Sequence, residues 1–476
     1  MRRRRFCQVA ALGTMGLSSA DQAQAKAARQ QVVIETRREI PVIDEADICI
    51  LGGSCTGVFA AIRAARLGAN VVLVEKQNCL GGVATSAMVN VWHSLYDTEF
   101  KRQIIAGLTL EAIERLQKRG AAESFDKSAS KGCGFNSEEL KIELDEMVSE
   151  AKVRVYFHTL FSAPVIEDGE LSAVIVENKS GRAAIRAKVF VDATGDADLC
   201  HRLKLPTYVR KNLQPPTACA RFGAWSSLES VDVNKILAEH RDEFALPEGF
   251  IWGNRVPDSD VYMLAGTRVY DVDCSDAKEL THAEIEGRRQ IRAIMDILRK
   301  YAPPNDISLQ ALPSQIGIRE TRHVRCRYQL TGDDVLTGRR FDDAIANGSY
   351  RVDIHHQDKP GITLRYLDGR EQYSRPGYSN EEGRWREKTD SNPTFYQIPF
   401  RCLAPEGSYG NLVVAGRMLD ADEVAFSGVR VMVNMNQTGE AAGTAAWMAL
   451  DQRVSIGQLH PTELRELLAK GGSLIV

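Results

Sequence analysis

Two adjacent histidines, His355 and His356, end a β-forming run that begins at Val352. Successive side chains of a strand point to opposite faces, so one imidazole can face a reaction site while the other packs. An imidazole titrates near neutral pH and can take the hydroxyl proton of an alcohol while hydride leaves the carbon. The pair is therefore a candidate for proton transfer beside a redox cofactor, and a hydrogen-bonded structural pair is the competing interpretation.

Three further side chains are candidates for the same chemistry. Arg319 and Arg401 could each hold an anionic substrate group or offset charge on a reduced cofactor, and each could instead form a structural ion pair. His93 follows Gly81-Gly82 closely, which could bring it to a cofactor, even as a covalent tether. No H-x-x-x-H, H-E-x-x-H or C-x-x-C spacing occurs, so neither a zinc site nor an iron–sulfur cluster is predicted.

The sequence contains a glycine-rich loop of the kind that positions a phosphate-bearing cofactor. The apolar strand at residues 46–51 runs into Gly52-Gly53-Ser54-Cys55-Thr56-Gly57, a helix follows at 58–67, and a second strand at 71–74 ends at Glu75. This order is typical of a dinucleotide-binding unit, with pyrophosphate at the helix N-terminus and the acidic residue on the ribose hydroxyls. Ser54 replaces the middle glycine of the usual motif, although Gly53 can supply the freedom and the Ser54 hydroxyl can donate to phosphate. A crossover without a ligand is the alternative.

Three later segments favour FAD over NAD as the dinucleotide. Leu80-Gly81-Gly82 lets the chain run close to a long ligand, and a strand from 187 runs into Ala193-Thr194-Gly195-Asp196. Short strands predicted at 153–158, 171–176 and 183–187 form a β-meander before that loop. Asn411 begins a strand that ends in Gly416-Arg417, and a helix is predicted at 431–450, whose N-terminus suits the negative charge of a reduced flavin.

These motifs together resemble the bacterial FAD-dependent oxidoreductase family, a branch of the glutathione-reductase-like two-dinucleotide-fold flavoproteins. Gly317-Ile318-Arg319-Glu320-Thr321-Arg322 and Ile398-Pro399-Phe400-Arg401-Cys402-Leu403 add to the match, which spans residues 46 to about 450. The resemblance implies non-covalently bound FAD and places residues 352–356 near it. The residues expected to bind FAD are Gly52, Gly53, Ser54, Thr56, Gly57, Glu75, Lys76, Gly81, Gly82, Ala193, Thr194, Gly195, Asp196, Gly416, Arg417, Val431 and Asn434.

The expected fold is α/β, with a Rossmann-like FAD-binding domain that carries the β-meander and a mixed α/β substrate (cap) domain. The FAD-binding domain is predicted at residues 44–200 and 395–476, and the cap domain at 201–394, whose clearest helix is 281–301. Residues 1–25 have the basic start, short apolar stretch and Ala23-Gln24-Ala25 of a signal peptide, and a linker spans 26–43. Arg3-Arg4-Arg5-Phe6 fits a twin-arginine signal, so a periplasmic or secreted location is expected.

Composition excludes several functional classes. Hydrophobic residues make up 44% and charged residues 26%, with a net charge of -3, so neither a disordered chain nor a nucleic-acid-binding surface is indicated. No apolar run after the signal approaches 18 residues, so no membrane span is predicted. The ten cysteines are expected to be mostly free.

The predicted function is hydride transfer between flavin N5 and a small organic substrate, with a separate electron acceptor. A carbohydrate or another hydroxylated compound is the leading substrate class. Reduction of an unsaturated acid is the second enzymatic hypothesis. A non-redox protein that contains FAD and binds or acts on polysaccharide is the alternative from a different class.

Overall fold

The computed structural model describes residues 33–124, 132–249, 251–303, 306–376, 378–407 and 409–476. The chain divides into two compact units, Met1–Ile40 and Pro41–Val476, and the described residues of the first unit form no helix or strand. The predicted signal peptide at 1–25 and the start of the predicted linker lie outside the described residues. Nothing in the described ranges forms a helix long and apolar enough to cross a membrane.

The described residues of the larger unit form 21 strands. Their bounds are β1 (Val42–Leu51), β2 (Val71–Val74), β3 (Val91–Trp92), β4 (Cys133–Gly134), β5 (Arg154–Tyr156), β6 (Leu160–Glu167), β7 (Glu170–Asn178), β8 (Gly181–Asp192), β9 (Thr207–Val209), β10 (Cys219–Gly223), β11 (Trp252–Arg255), β12 (Tyr262–Ala265), β13 (Ser308–Ala311), β14 (Arg322–Val324), β15 (Ala344–Gly348), β16 (Val352–His355), β17 (Ile362–Arg365), β18 (Arg370–Ser374), β19 (Glu381–Arg384), β20 (Tyr396–Pro399) and β21 (Leu412–Val414).

The helices of the described residues surround and connect these strands. Their bounds are α1 (Cys55–Arg66), α2 (Leu108–Lys118), α3 (Ser137–Glu150), α4 (Asp198–Arg202), α5 (Val233–His240), α6 (Ala277–Tyr301), α7 (Gly332–Leu336), α8 (Glu423–Val429), α9 (Met432–Gln452) and α10 (Pro461–Lys470).

The main sheet has the strand order β5-β2-β1-β8-β7-β6, and β21 also pairs with β8. The long strand β8 pairs differently along its length. Its first part is antiparallel to β7, and its last residues, Phe190 to Asp192, run parallel to β21. β1 runs parallel to both β2 and β8. The carboxyl ends of β1, β8 and β21 therefore lie side by side, and in a parallel sheet ligands bind at that edge.

The expected α/β fold with its β-meander is confirmed, and two of its predicted strands are corrected. The segment predicted at 153–158 is β5, which pairs in parallel with β2 and does not belong to the meander. Helix α3 lies between β2 and β5 in the chain. A crossover of this kind, in which a helix connects two strands, allows the strands to pair in parallel. The strands predicted separately at 183–187 and from 187 are one strand, β8, and the meander instead contains β6, which the sequence analysis did not predict.

Two main hydrophobic cores fill the larger unit. The first packs the main sheet against α1 and α9, and it also includes buried residues between Val324 and Ala404. The second packs residues from Ala218 to Ile318, mainly β10 and the apolar face of α6. Helix α6 begins earlier than predicted, because Asp276 accepts hydrogen bonds from the amides of Lys278 and Glu279. The domain boundaries at 200 and 395 stay a prediction.

Candidate active site

A cavity of about 410 Å³ opens at the carboxyl edge of the main sheet, and we call it the central cavity. Both cores contribute to its wall. The first core supplies the loops that follow β1, β8 and β21, while the second supplies β10, β11 and β12. The lining residues that matter for its chemistry are Ser54, Thr56, His93, Gly195, Cys219, Arg319, Tyr350, Arg351, Asp353, His355, Gly416, Arg417, Arg430 and Val431.

The glycine-rich loop after β1 brings α1 close to the sheet and to the central cavity. A Cβ added at Gly57 would lie 1.8 Å from the carbonyl oxygen of Gly52, so only glycine permits this approach. Ser54 precedes α1 without a capping hydrogen bond from its side chain, and the first turn of the helix carries no acidic residue. The amide groups at this N-terminus, beside Ser54 and Thr56, therefore remain available for an anion.

A second helix N-terminus borders the same cavity. Val431 precedes α9, again without a side-chain cap and without an acidic residue in the first turn. Val431, Met432, Met435 and Asn436 line the cavity, and the buried Nδ2 of Asn436 has no hydrogen-bond partner among the described residues. The two uncapped helix N-termini and the glycine turn fit FAD. Its pyrophosphate is an anion, and its flavin ring becomes negatively charged on reduction.

Glu75 and Asp196 stabilise the loops around the cavity and do not line it. Glu75 is buried, and its Oε2 accepts a hydrogen bond of 2.5 Å from the amide of Gly53. Asp196 pairs with Arg417 at 2.5 Å and accepts a hydrogen bond of 2.7 Å from the Thr321 hydroxyl. Burial opposes the ionisation of Asp196, but attraction to Arg417 and Lys76 outweighs it and lowers the pKa of Asp196.

The carboxylate of Asp353 and the imidazole of His355 form a buried pair in the wall of the central cavity. Both project from the same face of β16, two residues apart, and Asp353 Oδ2 lies 3.3 Å from His355 Nε2. The Tyr350 hydroxyl donates a hydrogen bond of 2.9 Å to the same carboxylate. His355 Nδ1 is buried and has no partner among the described residues, so this nitrogen is the one left to exchange a proton with a ligand.

Burial and charge set the protonation of this pair. Burial lowers the pKa of His355 to about 3, an effect that Arg319 and Arg430 reinforce and Asp353 opposes. Burial also opposes the ionisation of Asp353, yet the hydrogen bond with His355 and the attraction to the permanently charged Arg430 and Arg351 lower its pKa well below the usual value. At neutral pH the pair therefore consists of a carboxylate and a neutral imidazole, which can accept a proton.

Four arginines line the same cavity: Arg417, which is paired with Asp196, and Arg319, Arg351 and Arg430. Arg319 Nη1 donates a hydrogen bond of 2.5 Å to the Thr217 hydroxyl and another to the Pro215 carbonyl. Arg430 Nη2 lies 3.5 Å from Asp353 Oδ2. Burial, together with repulsion from Arg430 and Arg268, lowers the pKa of Arg319 to about 9.

His93 lies against the aromatic ring of Tyr350, with 4.1 Å between the ring centroids. Burial and the charge of Arg351 lower the pKa of His93 to about 3. Both residues also line a smaller neighbouring cavity of about 30 Å³, together with Asn434. His93 is thus a neutral part of the wall between the two cavities.

The structure brings together only part of the predicted site. Of the predicted catalytic residues, His93, Arg319 and His355 line the central cavity. His356 points away, since its Nε2 lies 2.8 Å from the Thr363 hydroxyl, and Arg401 is half-exposed and paired with Asp343 at 2.9 Å. Of the predicted FAD-binding residues, the central cavity is lined by Ser54, Thr56, Gly81, Ala193, Gly195, Gly416, Arg417 and Val431. The predicted FAD-binding residues that do not line it are Gly52, Gly53, Gly57, Glu75, Lys76, Gly82, Thr194, Asp196 and Asn434.

Four of the polar cavity residues that the sequence analysis missed surround the Asp353–His355 pair or belong to it. Asp353 could have been found, because it lies two residues before His355 on one strand and so shares its face. Arg430 directly precedes the helix predicted from Val431, which was a weaker signal. Tyr350 and Arg351 carry no motif, and only the folded chain places them in the cavity.

Comparison with curated proteins finds distant relatives among reductases and dehydrogenases. The chain is 29% identical over 222 residues to a digeranylgeranylglycerophospholipid reductase from Methanoculleus marisnigri, covering 44% of this chain and 53% of that protein. It is 30% identical over 95 residues to a dihydrolipoyl dehydrogenase from Trypanosoma brucei brucei, covering 17% of this chain and 20% of that protein. The chain thus spans about half of the first relative and a fifth of the second.

Among solved structures, similar chains include a geranylgeranyl bacteriochlorophyll reductase-like protein from Thermoplasma acidophilum. It has 12% sequence identity and a TM-score of 0.45, over 90% of this chain and 84% of that one. A p-nitrophenol 4-monooxygenase from Pseudomonas putida has 10% identity and a TM-score of 0.42, over 90% and 84% of the two chains.

A family model described as FAD dependent oxidoreductase matches residues 47–468, which include every segment that lines the central cavity. The match covers most of the chain, and the fold and the glycine-rich loop agree with it. FAD is accordingly the cofactor of this enzyme, and the chain belongs to the FAD-dependent oxidoreductase family.

Proposed function

We propose that this enzyme oxidises a small hydroxylated compound by hydride transfer to FAD and passes the electrons to a separate acceptor. The observation that supports the proposal is the buried Asp353–His355 pair in a cavity that also contains the glycine-rich loop. Bound FAD would supply the two-electron chemistry, because oxidation of an alcohol carbon to a carbonyl releases one hydride, taken up at N5, and one proton. A quinone, a soluble carrier or oxygen is the proposed acceptor class.

The side chains of this enzyme would manage the proton. Asp353 holds the imidazole of His355 by its Nε2, so that a neutral ring presents Nδ1 as the acceptor. The positive charge that forms on His355 is then stabilised by the adjacent carboxylate, which Tyr350 keeps in place through its hydrogen bond. The apolar wall residues Val89, Val91 and Ile318 limit water at the site.

An anaerobic substrate screen tests the proposal. The purified flavoprotein is mixed with hydroxylated compounds, and loss of the visible flavin absorption is followed in the wild type, His355→Gln and His356→Gln. We expect His355→Gln to slow flavin reduction by roughly 10²- to 10⁴-fold, as is usual for loss of a general base. His356→Gln is the matched control, because His356 lies outside the cavity. Equal rates in all three proteins would refute the role of His355, and a flavin that no such compound reduces would refute the oxidation.

We also propose that the enzyme is exported by the twin-arginine route. The support is the sequence of residues 1–25 and the advantage of inserting FAD before export, since that route carries folded proteins. Fractionation of cells that express the wild type and the double variant Arg3→Lys, Arg4→Lys tests this proposal. Export of the wild type and retention of the double variant would support it, while a wild-type protein found only in the cytoplasm would overturn it.

A further inference from the structure

We infer that the central cavity contains a carboxylate-binding site formed by Arg319, Arg351 and Arg430, and that the substrate is a small 2-hydroxy acid. The inference rests on the proposed function, because it names the substrate class of the same cavity. Its basis is an excess of positive charge beside a proton acceptor. A neutral alcohol would leave this positive charge uncompensated.

The charges that face the cavity do not balance. Three guanidinium groups are set against one buried carboxylate, that of Asp353. A fourth arginine, Arg417, is already paired with Asp196, and Glu123 is exposed at the rim, where water screens its charge. The histidines and the tyrosine of the wall are neutral, because burial lowers the pKa of His93 and His355 and raises that of Tyr350.

Neither Arg319 nor Arg351 forms an ion pair with a carboxylate in the described part of the chain. Arg319 is instead held by the neutral oxygens of Pro215 and Thr217, which orient the group without neutralising its charge. Buried charges in proteins are normally paired, so a buried guanidinium that lacks an ion pair and faces a cavity indicates an anionic ligand. A planar guanidinium also matches the two oxygens of a carboxylate.

The position of the proton acceptor narrows the class of acid. Arg430 contacts Asp353, which in turn contacts His355, and the unpartnered Nδ1 of His355 lies in the same wall. A hydroxyl on the carbon next to the carboxylate would therefore lie near His355 while the carboxylate lies near the arginines. Carbon 2 would give its hydride to the bound cofactor and its hydroxyl proton to His355, and the product would be a 2-oxo acid.

Reduced flavin and the pyrophosphate of FAD are the other anions that could offset this charge. In the oxidised holoenzyme the isoalloxazine ring is neutral and the pyrophosphate is already bound, so binding of an added acid to that form separates the carboxylate site from both explanations. The probe is 2-hydroxy-2-methylpropanoate, which has no hydrogen on carbon 2 and cannot be oxidised to a 2-oxo acid. Its matched neutral counterpart is 2-methylpropane-1,2-diol.

Calorimetric titration of the oxidised holoenzyme measures the Kd for both probes, independently of turnover. We expect the acid to bind and the diol to bind at least about tenfold more weakly, because the diol lacks the charge. Arg351→Gln and Arg430→Gln should each weaken acid binding by roughly 10- to 100-fold. Arg292→Gln, an exposed arginine on α6, is the matched control. Flavin content and melting temperature of each variant verify that it is folded and loaded.

Three results would overturn the carboxylate site: no binding of the acid, equal binding of acid and diol, or acid binding that neither cavity variant weakens. The proposed oxidation fails in a different way. If the acid binds as expected but lactate, which has a hydrogen on carbon 2, and its longer homologues never reduce the flavin, the carboxylate site stands and the oxidation is refuted. Flavin reduction by neutral alcohols without acid binding would refute the site alone.

Discussion

Burial sets the charge state of the ionisable side chains in the central cavity. It removes the positive charge from His93 and His355, while neighbouring arginines keep Asp353 ionised. The result is a neutral imidazole beside a carboxylate. A neutral imidazole has the free nitrogen that a general base needs, and the charge of Asp353 offsets the positive charge that forms when His355 takes up a proton.

The pH dependence of flavin reduction follows from the pKa of His355. Because that pKa is lowered to about 3, His355 stays neutral at all pH values above it. We therefore expect no loss of the flavin reduction rate between about pH 8 and pH 5 from protonation of this base. Anaerobic stopped-flow measurements across this range test the expectation. A tenfold fall per pH unit below about 6.5, the ordinary histidine value, would contradict it.

The same burial makes the fold sensitive to acid. His93 has a pKa of about 3 in the folded protein, against about 6.5 in an unfolded chain. Its contribution to stability is therefore complete above about pH 6.5 and is lost as the pH falls towards 3, because only the unfolded chain takes up the proton.

The variant His93→Gln should show a shallower loss of stability with falling pH. Below about pH 6, the free energy of unfolding of the wild type should fall by about 1.4 kcal/mol per pH unit more than that of the variant. Chemical denaturation of both holoproteins at several pH values measures the difference. Parallel pH profiles would contradict this prediction, because they would show that His93 takes up a proton as readily in the folded protein as in the unfolded chain.

At the scale of elements, helices α1 and α9 cross closely beneath the cavity. A Cβ added at Gly443 of α9 would lie 2.1 Å from the carbonyl oxygen of Ala60 in α1. Arg63 of α1 also pairs with Glu440 of α9, and both side chains are buried. Since the N-termini of both helices border the central cavity, their crossing sets the distance between these two N-termini.

Gly443→Ala should force the two helices apart. The added methyl group meets backbone, which cannot move aside as a flexible side chain would, so we expect a loss of roughly 1–3 kcal/mol in stability. Affinity for FAD should fall as well, because the helix N-termini shift. Denaturation and FAD titration measure both effects. Asp451→Ala, an exposed position near the end of the same helix, is the control and should leave both values close to those of the wild type.

At the scale of the whole molecule, the sequence predicted the strand, loop and helix elements of the main sheet far better than the polar wall of the central cavity. The strand, glycine loop and helix around Gly52 follow a local pattern, because backbone close approach and helix polarity require particular residues in order. Tyr350, Arg351 and Arg430 meet through long-range packing, which no local spacing records. The misassigned strand β5 has the same cause, since its partner β2 lies some eighty residues earlier in the chain.

Both hydrophobic cores contribute to the wall of the central cavity, so its occupant should stabilise both. Ser54 and Gly416 belong to loops of the first core, while Cys219 and Ala265 lie on strands β10 and β12 beside the second core. A ligand that binds only the folded state slows opening of every segment whose unfolding destroys its site. Helix α6, which fills the second core, should therefore respond to FAD although it does not line the cavity.

Hydrogen exchange with and without FAD tests this coupling. At FAD concentrations about 100 times Kd, amides of α6 that exchange through global unfolding should slow by up to about 100-fold. The exposed strand β19, at the far edge of the sheet formed by β16, β17, β18 and β19, is the internal control. An exposed edge strand exchanges by local fraying, so β19 should exchange at the same rate in both states. Slower exchange in α1 with unchanged exchange in α6 would show that the second core opens independently of the cofactor. In that case substrate could enter by movement of the second core alone, and the two cores would be separate folding units that share one cavity.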